Sequence, residues 1–193
     1  MLQIMSRPEL TLTPVSYVVL GLVAREGPVT PYDLKTAVGL GVAHFWPFPH
    51  SQIYSESERL ARLGLLVEER ETSGRRRRHY RISPEGEQAL AAWLAEPTSD
   101  VPQYRNLGLL KLYFGQLANP EDLAALARAQ QAMHLERQEF LGAMLERLRA
   151  RGRPWQHAVG KLMRDAERAM AENWAQVERA AEAAAGREHR SSA

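Results

Sequence analysis

The chain of 193 residues is long enough for one domain, or for two small domains that each bury a core. It is 45% hydrophobic and 25% charged, with a net charge of +2 and no cysteine, which excludes disulfides and cysteine-based zinc sites. No segment reaches transmembrane length, and the apolar run 15–24 lacks the flanks of a signal peptide, so we expect a cytoplasmic protein.

Two short helices are predicted first. Thr13 can cap a helix that begins at Pro14 and ends before Gly27. Thr30 can cap a second helix that begins at Pro31, contains Asp33 in a weak capping-box arrangement, and ends at Gly39.

A third helix is predicted from His50-Ser51 to Leu63, after a glycine- and proline-containing segment at 39–50 that cannot be regularly helical. One side of this helix is apolar. The opposite side is small and hydrogen-bonding, which is unusual for a face that only meets solvent. Ser57 is a polar residue at a core-facing position of the same helix, and we expect a looser core or a pocket wall there.

A basic hairpin follows Gly64. We predict a strand at 65–71, a turn at 72–74 and a returning strand at 75–83, followed by a helix at 84–96 that Ser83 caps. Residues 70–81 hold six arginines against one acid. In the returning strand, alternation places residues 76, 78, 80 and 82 on one face and residues 75, 77, 79 and 81 on the other. Three helices, a basic hairpin and a further helix form a winged helix-turn-helix.

The remainder of the chain is predicted to be helical. We expect a DNA-binding domain at 1–96, a linker at 97–105, a helical domain at 106–186 and a disordered tail at 187–193. The helical domain contains a short helix at 106–117 and two long antiparallel helices, 120–150 and 155–185. The fold class is therefore mainly α: a winged helix-turn-helix followed by a helical C-terminal dimerisation domain.

The two long helices carry apolar stripes that a lone helical hairpin cannot bury, so they need either the DNA-binding half or a second copy of the chain. The alternative of a cofactor box is far less common for such stripes. The residues expected at the dimer interface are Leu126, Met133, Phe140, Met144, Leu148, Met170, Trp174 and Val177.

Several segments, in this order and spacing, resemble the PadR family of bacterial transcriptional regulators, in its longer form with a helical C-terminal domain. They are "LGLV" at 20–23, "GPVTPYDLK" at 27–35, "HFWPFPHSQIY" at 44–54, "RLARLGLL" at 59–66, "GRRRRHYRISPEGEQAL" at 74–90, "WL" at 93–94, "LLKLYFG" at 109–115 and "NPEDL" at 119–123. Glu56 and Ser57 depart from the alanine and leucine of many relatives, and Thr30-Pro31 departs from their Ser-Gly.

The resemblance implies a homodimer that binds double-stranded DNA at a palindromic operator. The family's members are mostly repressors, and some release DNA when they bind phenolic acids or other small aromatic molecules. The expected recognition-helix contacts are Ser51, Gln52, Tyr54, Ser55, Arg59 and Arg62. The expected contacts of the wing and its flanks are Tyr32, Lys35, Arg75, Arg76, Arg77, Arg78 and His79. Glu58 lies on the same helix face, would repel phosphate, and should therefore lie over base edges or away from the backbone.

Other interpretations remain open. The arginine run can be a solvated hairpin tip. Phe45, Trp46 and Phe48 can pack between the second and third helices, which we favour, or form a candidate effector pocket.

The sequence predicts no metal, no cofactor and no enzymatic activity, because it has no phosphate loop, nucleophile elbow or ligand cluster. The rival functions are a constitutive or architectural DNA-binding protein without effector, and a protein-interaction module with an inert wing.

Overall fold

The computed structural model describes residues 11–70, 77–103 and 105–191. The chain divides into two compact units, one up to Asp100 and one from Val101 onward. The division falls inside the segment that was predicted as a linker.

Three helices open the first unit: α1 spans Pro14–Glu26, α2 spans Pro31–Gly39 and α3 spans Ser51–Arg62. Threonine side chains that cap the N-termini explain where α1 and α2 begin. Thr30 Oγ1 accepts from the Asp33 amide at 3.2 Å, and the Asp33 carboxylate accepts from the Thr30 amide at 3.0 Å, so the predicted capping box is confirmed. Thr13 and Ser16 form the same reciprocal arrangement at α1.

A β-hairpin and a fourth helix complete this unit. Strand β1 (Leu66–Arg70) pairs antiparallel with β2 (Arg78–Ile82), and α4 spans Pro84–Ala95. Ser83 Oγ accepts from the Gly86 amide at 3.0 Å and donates to the Gly64 carbonyl oxygen at 2.7 Å. One side chain therefore caps α4 and fastens it to the end of α3.

The core of the first unit joins all of these elements. Apolar side chains of α1, α2 and α3 pack with Leu66 of β1 and with Tyr80 of β2. Ser57 is fully buried, as its core-facing position predicted. Its hydroxyl donates to the Ile53 carbonyl oxygen at 2.7 Å, so the polar group is satisfied within its own helix.

The second unit consists of helices. Helix α5 spans Leu107–Tyr113, α6 spans Pro120–Ala150 and α7 spans Pro154–Ser191. Helices α6 and α7 run antiparallel, and ion pairs between them include Arg128 with Glu178 at 3.2 Å and Arg137 with Glu167 at 2.6 Å. The predicted end of the last helix near Ala185 is too early. Residues 187–191, expected to be disordered, continue α7, because no proline or turn signal interrupts this stretch.

The predicted fold class is confirmed: a winged helix-turn-helix is followed by a helical region with two long antiparallel helices. Among the described residues, no helix combines the length and apolar character that a membrane span requires.

Candidate DNA-binding interface

Helix α3 presents a polar face to solvent. Five of the six predicted recognition residues are on this face: Ser51, Gln52, Tyr54, Ser55 and Arg62 are all exposed. The opposite face, with Ile53 and Leu60, is buried in the core. The exposed face therefore combines short hydroxyl groups, an amide, a phenol and a guanidinium, which are the groups that proteins use to contact base edges and phosphates.

Arg59 differs from the other five residues. Its Nε donates to Glu56 Oε2 at 2.9 Å, and its Nη2 donates to Glu56 Oε1 at 2.8 Å and to Ser16 Oγ at 3.1 Å. Ser16 Oγ also donates to Glu56 Oε1 at 2.5 Å. The guanidinium thus ties α3 to the start of α1. DNA contact by Arg59 stays a prediction, and we leave it out of the contact set proposed below.

The Glu56 carboxylate is held charged by this network. Partial burial raises its pKa, but the hydrogen bonds from Arg59 and Ser16 outweigh burial, and the pKa lies below the ordinary value. The unfolded chain therefore binds a proton at this carboxylate more readily than the folded chain does. The pair contributes stability above the unfolded pKa, and this contribution is lost as the pH falls through the folded pKa.

We expect Glu56→Gln to lower the free energy of unfolding by about 1 kcal/mol at neutral pH and to flatten its decline in acid, because the charged acceptor is gone. Urea unfolding of the whole chain between pH 3 and 7 measures both effects. Glu96→Gln, an exposed carboxylate of the same unit, is the control. A pH profile that Glu56→Gln leaves unchanged would contradict the assignment.

The basic hairpin lies beside α3. Arg77 and Arg78 are exposed and His79 is half-buried, whereas Arg75, Arg76 and the predicted turn lie outside the described residues. The predicted placement of alternate side chains on opposite faces of the strand is confirmed for the described part of β2. Tyr80 is buried on the face that Arg78 shares, and Arg81 is exposed on the other face.

Arg78 bridges the hairpin and the recognition helix. Its Nη1 donates to Glu58 Oε1 at 2.7 Å, and its Nε lies 4.0 Å from Glu68 Oε1. Hydrogen bonds with Tyr80 and Glu58 raise the pKa of Arg78 above its ordinary value. Glu58 therefore pairs with a guanidinium of the wing, and its position relative to base edges or the DNA backbone stays a prediction.

The flank of the wing is formed by α2 and the segment before it. Tyr32 is 68% exposed and Lys35 is exposed, as contacts with a large partner require. Hydrogen bonds from Thr30 lower the pKa of Asp33, and the nearby charges of His79 and Arg77 lower it further, so the start of α2 is close to the hairpin.

One connection was not predicted from the sequence. Val29 and Tyr80 exchange two backbone hydrogen bonds, of 3.1 and 2.8 Å, which form an isolated antiparallel bridge beside β2. A single β-branched residue between Pro28 and Thr30 is too weak a signal for a strand. The bridge fixes the base of the hairpin to the start of α2.

The aromatic segment between α2 and α3 divides into two parts. Phe48 packs against the core, as the packing interpretation predicted. Phe45 and Trp46 are each half exposed and add an apolar patch to the surface of this unit. The effector-pocket interpretation of these three residues is a prediction that the structure does not test.

The predicted dimer residues occupy two environments in the second unit. Met144 and Trp174 are buried between α6 and α7, at 8% and 2% exposure, so they have little surface left for a second chain. Phe140 is 47% exposed. The remaining members are half-buried: Leu126, Met133, Leu148, Met170 and Val177.

The sequence reasoning missed much of the exposed apolar surface in this unit. Leu110 and Leu117, in α5 and the turn after it, are 56% and 81% exposed, and Leu162 of α7 is also exposed. The sequence of α5 does not distinguish its exposed side chains from its buried ones, because the apolar periodicity of seven residues does not show which side of a helix is covered.

Comparison with known proteins shows which family part of this chain resembles. Residues 19–92, which include α3, the described part of the wing and most of α4, match the model of the "Transcriptional regulator PadR-like family". A curated relative, the negative transcriptional regulator PadR of Bacillus subtilis (strain 168), is 25% identical over 142 residues, which cover 72% of this chain and 78% of the relative.

Two solved structures share the fold. The crystal structure of Bacillus subtilis PadR in complex with operator DNA has a TM-score of 0.77 at 21% identity, covering 87% of this chain and 98% of that chain. The structure of the same protein in complex with p-coumaric acid has a TM-score of 0.73 at 22% identity, with the same coverage. Residues 19–92 therefore form a domain that matches the PadR-like transcriptional regulators, and the chain, with its long C-terminal helices, shares the fold of these structures.

Proposed function

We propose that this chain is a homodimeric, sequence-specific repressor that binds a palindromic DNA operator. The observation that carries the proposal is the exposed polar face of α3 directly beside the arginines of the wing, within one compact unit. In this arrangement α3 enters the major groove and reads base edges, while the wing contacts the neighbouring phosphates.

The proposed DNA contacts are divided by role. Residues on the α3 face supply sequence reading through short hydrogen-bonding groups. Wing arginines supply affinity and register through phosphate contacts, which are independent of sequence. The proposed contact set consists of Ser51, Gln52, Tyr54, Ser55 and Arg62 on α3, with Tyr32, Lys35, Arg75, Arg76, Arg77 and His79 on the wing and its flanks.

Dimerisation is proposed from the apolar surface of the second unit. Phe140, Leu110, Leu117 and Leu162 are exposed large apolar side chains of this unit, and burying such side chains against a second copy removes apolar surface from water. Two recognition helices in a symmetric dimer bind two half-sites, so dimer geometry fixes their spacing.

A small aromatic or apolar effector is proposed to release the DNA. Support comes from the Bacillus subtilis relative, which was solved with p-coumaric acid, and from the exposed aromatic rings of Phe45 and Trp46 in this chain. An effector that changes the spacing of the two recognition helices would misalign one half-site. The protein is a regulator with no catalytic step, and we place its action in the cytoplasm, where bacterial DNA lies.

Salt titration of DNA binding tests the proposal. With the three wing arginines of the proposed contact set at phosphates in each subunit, six per dimer, the logarithm of affinity should fall with the logarithm of salt concentration at a slope of about −5. The triple variant Arg75→Ala, Arg76→Ala, Arg77→Ala should make the slope shallower by about 0.9 for each lost contact. Fluorescence anisotropy with a labelled duplex measures both, with and without p-coumaric acid.

The control for the wing variant is Arg168→Ala, which removes an exposed arginine of α7 that already lies 3.9 Å from Glu172. This control should leave the slope unchanged. A flat salt dependence of the unmodified protein would contradict DNA binding and favour a protein-interaction module. Affinity that no aromatic ligand changes would favour a constitutive DNA-binding protein.

A further inference from the structure

A charged cluster joins the recognition helix to the wing. Arg78 of β2 donates to Glu58 of α3 at 2.7 Å, and Glu68 of β1 lies 4.0 Å from the same guanidinium. The side chains of Arg78 and Glu58 are 45% and 55% exposed, so the pair is accessible from solvent. It lies where DNA must approach if α3 and the wing bind DNA together.

The hairpin register explains why this pair forms. Leu66 is opposite Ile82, Glu68 is opposite Tyr80, and Arg70 is opposite Arg78, so these side chains share one face. That face is apolar near the base of the hairpin, where Leu66 and Tyr80 are buried, and charged farther out. The outer part brings Arg78 against α3 at the position of Glu58.

A carboxylate and a phosphate compete for the same guanidinium donors, because both are anions that accept charge-assisted hydrogen bonds. A phosphate that takes the Nη1 donors of Arg78 must displace the Glu58 carboxylate, and a phosphate that binds the other donors lies beside that carboxylate and is repelled by it. The displaced carboxylate then remains close to the DNA backbone, whose charge repels it. The net gain from that phosphate contact is therefore small.

We propose that Glu58 is an internal competitor for phosphate at Arg78 and lowers the affinity of this protein for DNA of arbitrary sequence. The inference rests on the proposed DNA-binding function and adds a specificity-determining residue to it. Arg78 acts in the free protein as a positioning residue that sets the separation of α3 and the wing. DNA of arbitrary sequence is then held by the remaining basic residues.

The hairpin offers a matched control on its other face. Arg81 Nε donates to Glu69 Oε1 at 3.2 Å, and both side chains are about as exposed as those of the Glu58–Arg78 pair. Glu69→Gln removes the same charge from the same hairpin and releases an arginine in the same way. The Glu69–Arg81 pair joins β1 to β2 and does not involve the recognition helix.

The experiment compares Glu58→Gln and Glu69→Gln in salt titrations with a random-sequence duplex. Glu58→Gln should steepen the slope by about 0.9 per subunit, so its affinity advantage over the unmodified protein should grow about 3.5-fold per subunit, or about 12-fold per dimer, when salt is lowered from 200 to 50 mM. Glu69→Gln should stay close to the unmodified protein. Arg78→Gln should also keep the original slope, because its guanidinium is already occupied.

The double variant Glu58→Gln, Arg78→Gln completes the test and should return to the original slope. Equal effects of Glu58→Gln and Glu69→Gln, or no effect of Glu58→Gln, would overturn the inference while the protein still binds DNA. A slope that becomes shallower in Arg78→Gln would also overturn it. Absence of salt-dependent binding by the unmodified protein would instead contradict the proposed function itself.

Discussion

Gly86→Ala should lower the free energy of unfolding by about 3 kcal/mol, the largest effect of any single methyl group that we expect in this chain. A Cβ at this position would overlap the Leu65 carbonyl oxygen and would lie 2.9 Å from Ile82 Cγ1. The overlapping atom is backbone and cannot rotate away. Relief therefore requires α4 to move from the hairpin, which also strains the bonds of Ser83 to Gly64 and Gly86.

Chemical denaturation followed by circular dichroism measures this loss. Gly142→Ala is the control, because no neighbouring atom lies within 4 Å of a Cβ added there in the interior of α6. Alanine favours a helix interior over glycine by about 1 kcal/mol, so this substitution should stabilise the protein. Similar effects of the two substitutions would contradict the close approach of α4 to Leu65.

Phe140→Glu should convert the proposed dimer into monomers. Phe140 is a half-exposed aromatic side chain on the outer side of α6, and a buried carboxylate in its place would have to be desolvated without a partner. A monomer holds a single recognition helix, so operator affinity should fall by at least 100-fold as the second half-site is lost, on the order of the avidity that linked sites provide.

Sedimentation or light scattering measures the mass, and the same samples can be used for DNA binding. Phe140→Leu keeps an apolar side chain and should remain dimeric. An unaltered mass for Phe140→Glu would exclude this position from a shared interface. A monomer that binds the operator as tightly as the original protein would contradict the two-half-site arrangement.

Local signals explain why much of the fold could be predicted from sequence. Thr13-Pro14, Thr30-Pro31 and Asn119-Pro120 each join a side-chain cap to a proline that suits the first helical turn. These signals act within one turn, so they need no knowledge of distant contacts. The end of α7 lacks a comparable stop signal, and its extent was underestimated.

The candidate site was less predictable where distant residues meet. The helical wheel puts Arg59 beside the exposed face of α3, but its partner Ser16 is 43 residues away in sequence. The pairing of Arg78 with Glu58 likewise depends on how the hairpin meets α3. Trp174 was placed at an interface between chains because an apolar stripe does not reveal whether the neighbouring helix or a second chain covers it.

The Val29–Tyr80 bridge has a consequence for how such a regulator can diverge. It joins Ser83 and the buried Leu66 in holding the base of the hairpin, and all of these contacts lie outside the stretch between the two strands. Substitutions between Arg70 and Arg78 leave those anchors in place. Selection can therefore alter the charge of the wing, and with it the range of DNA sequences that are tolerated, while these anchors keep the base of the hairpin in place.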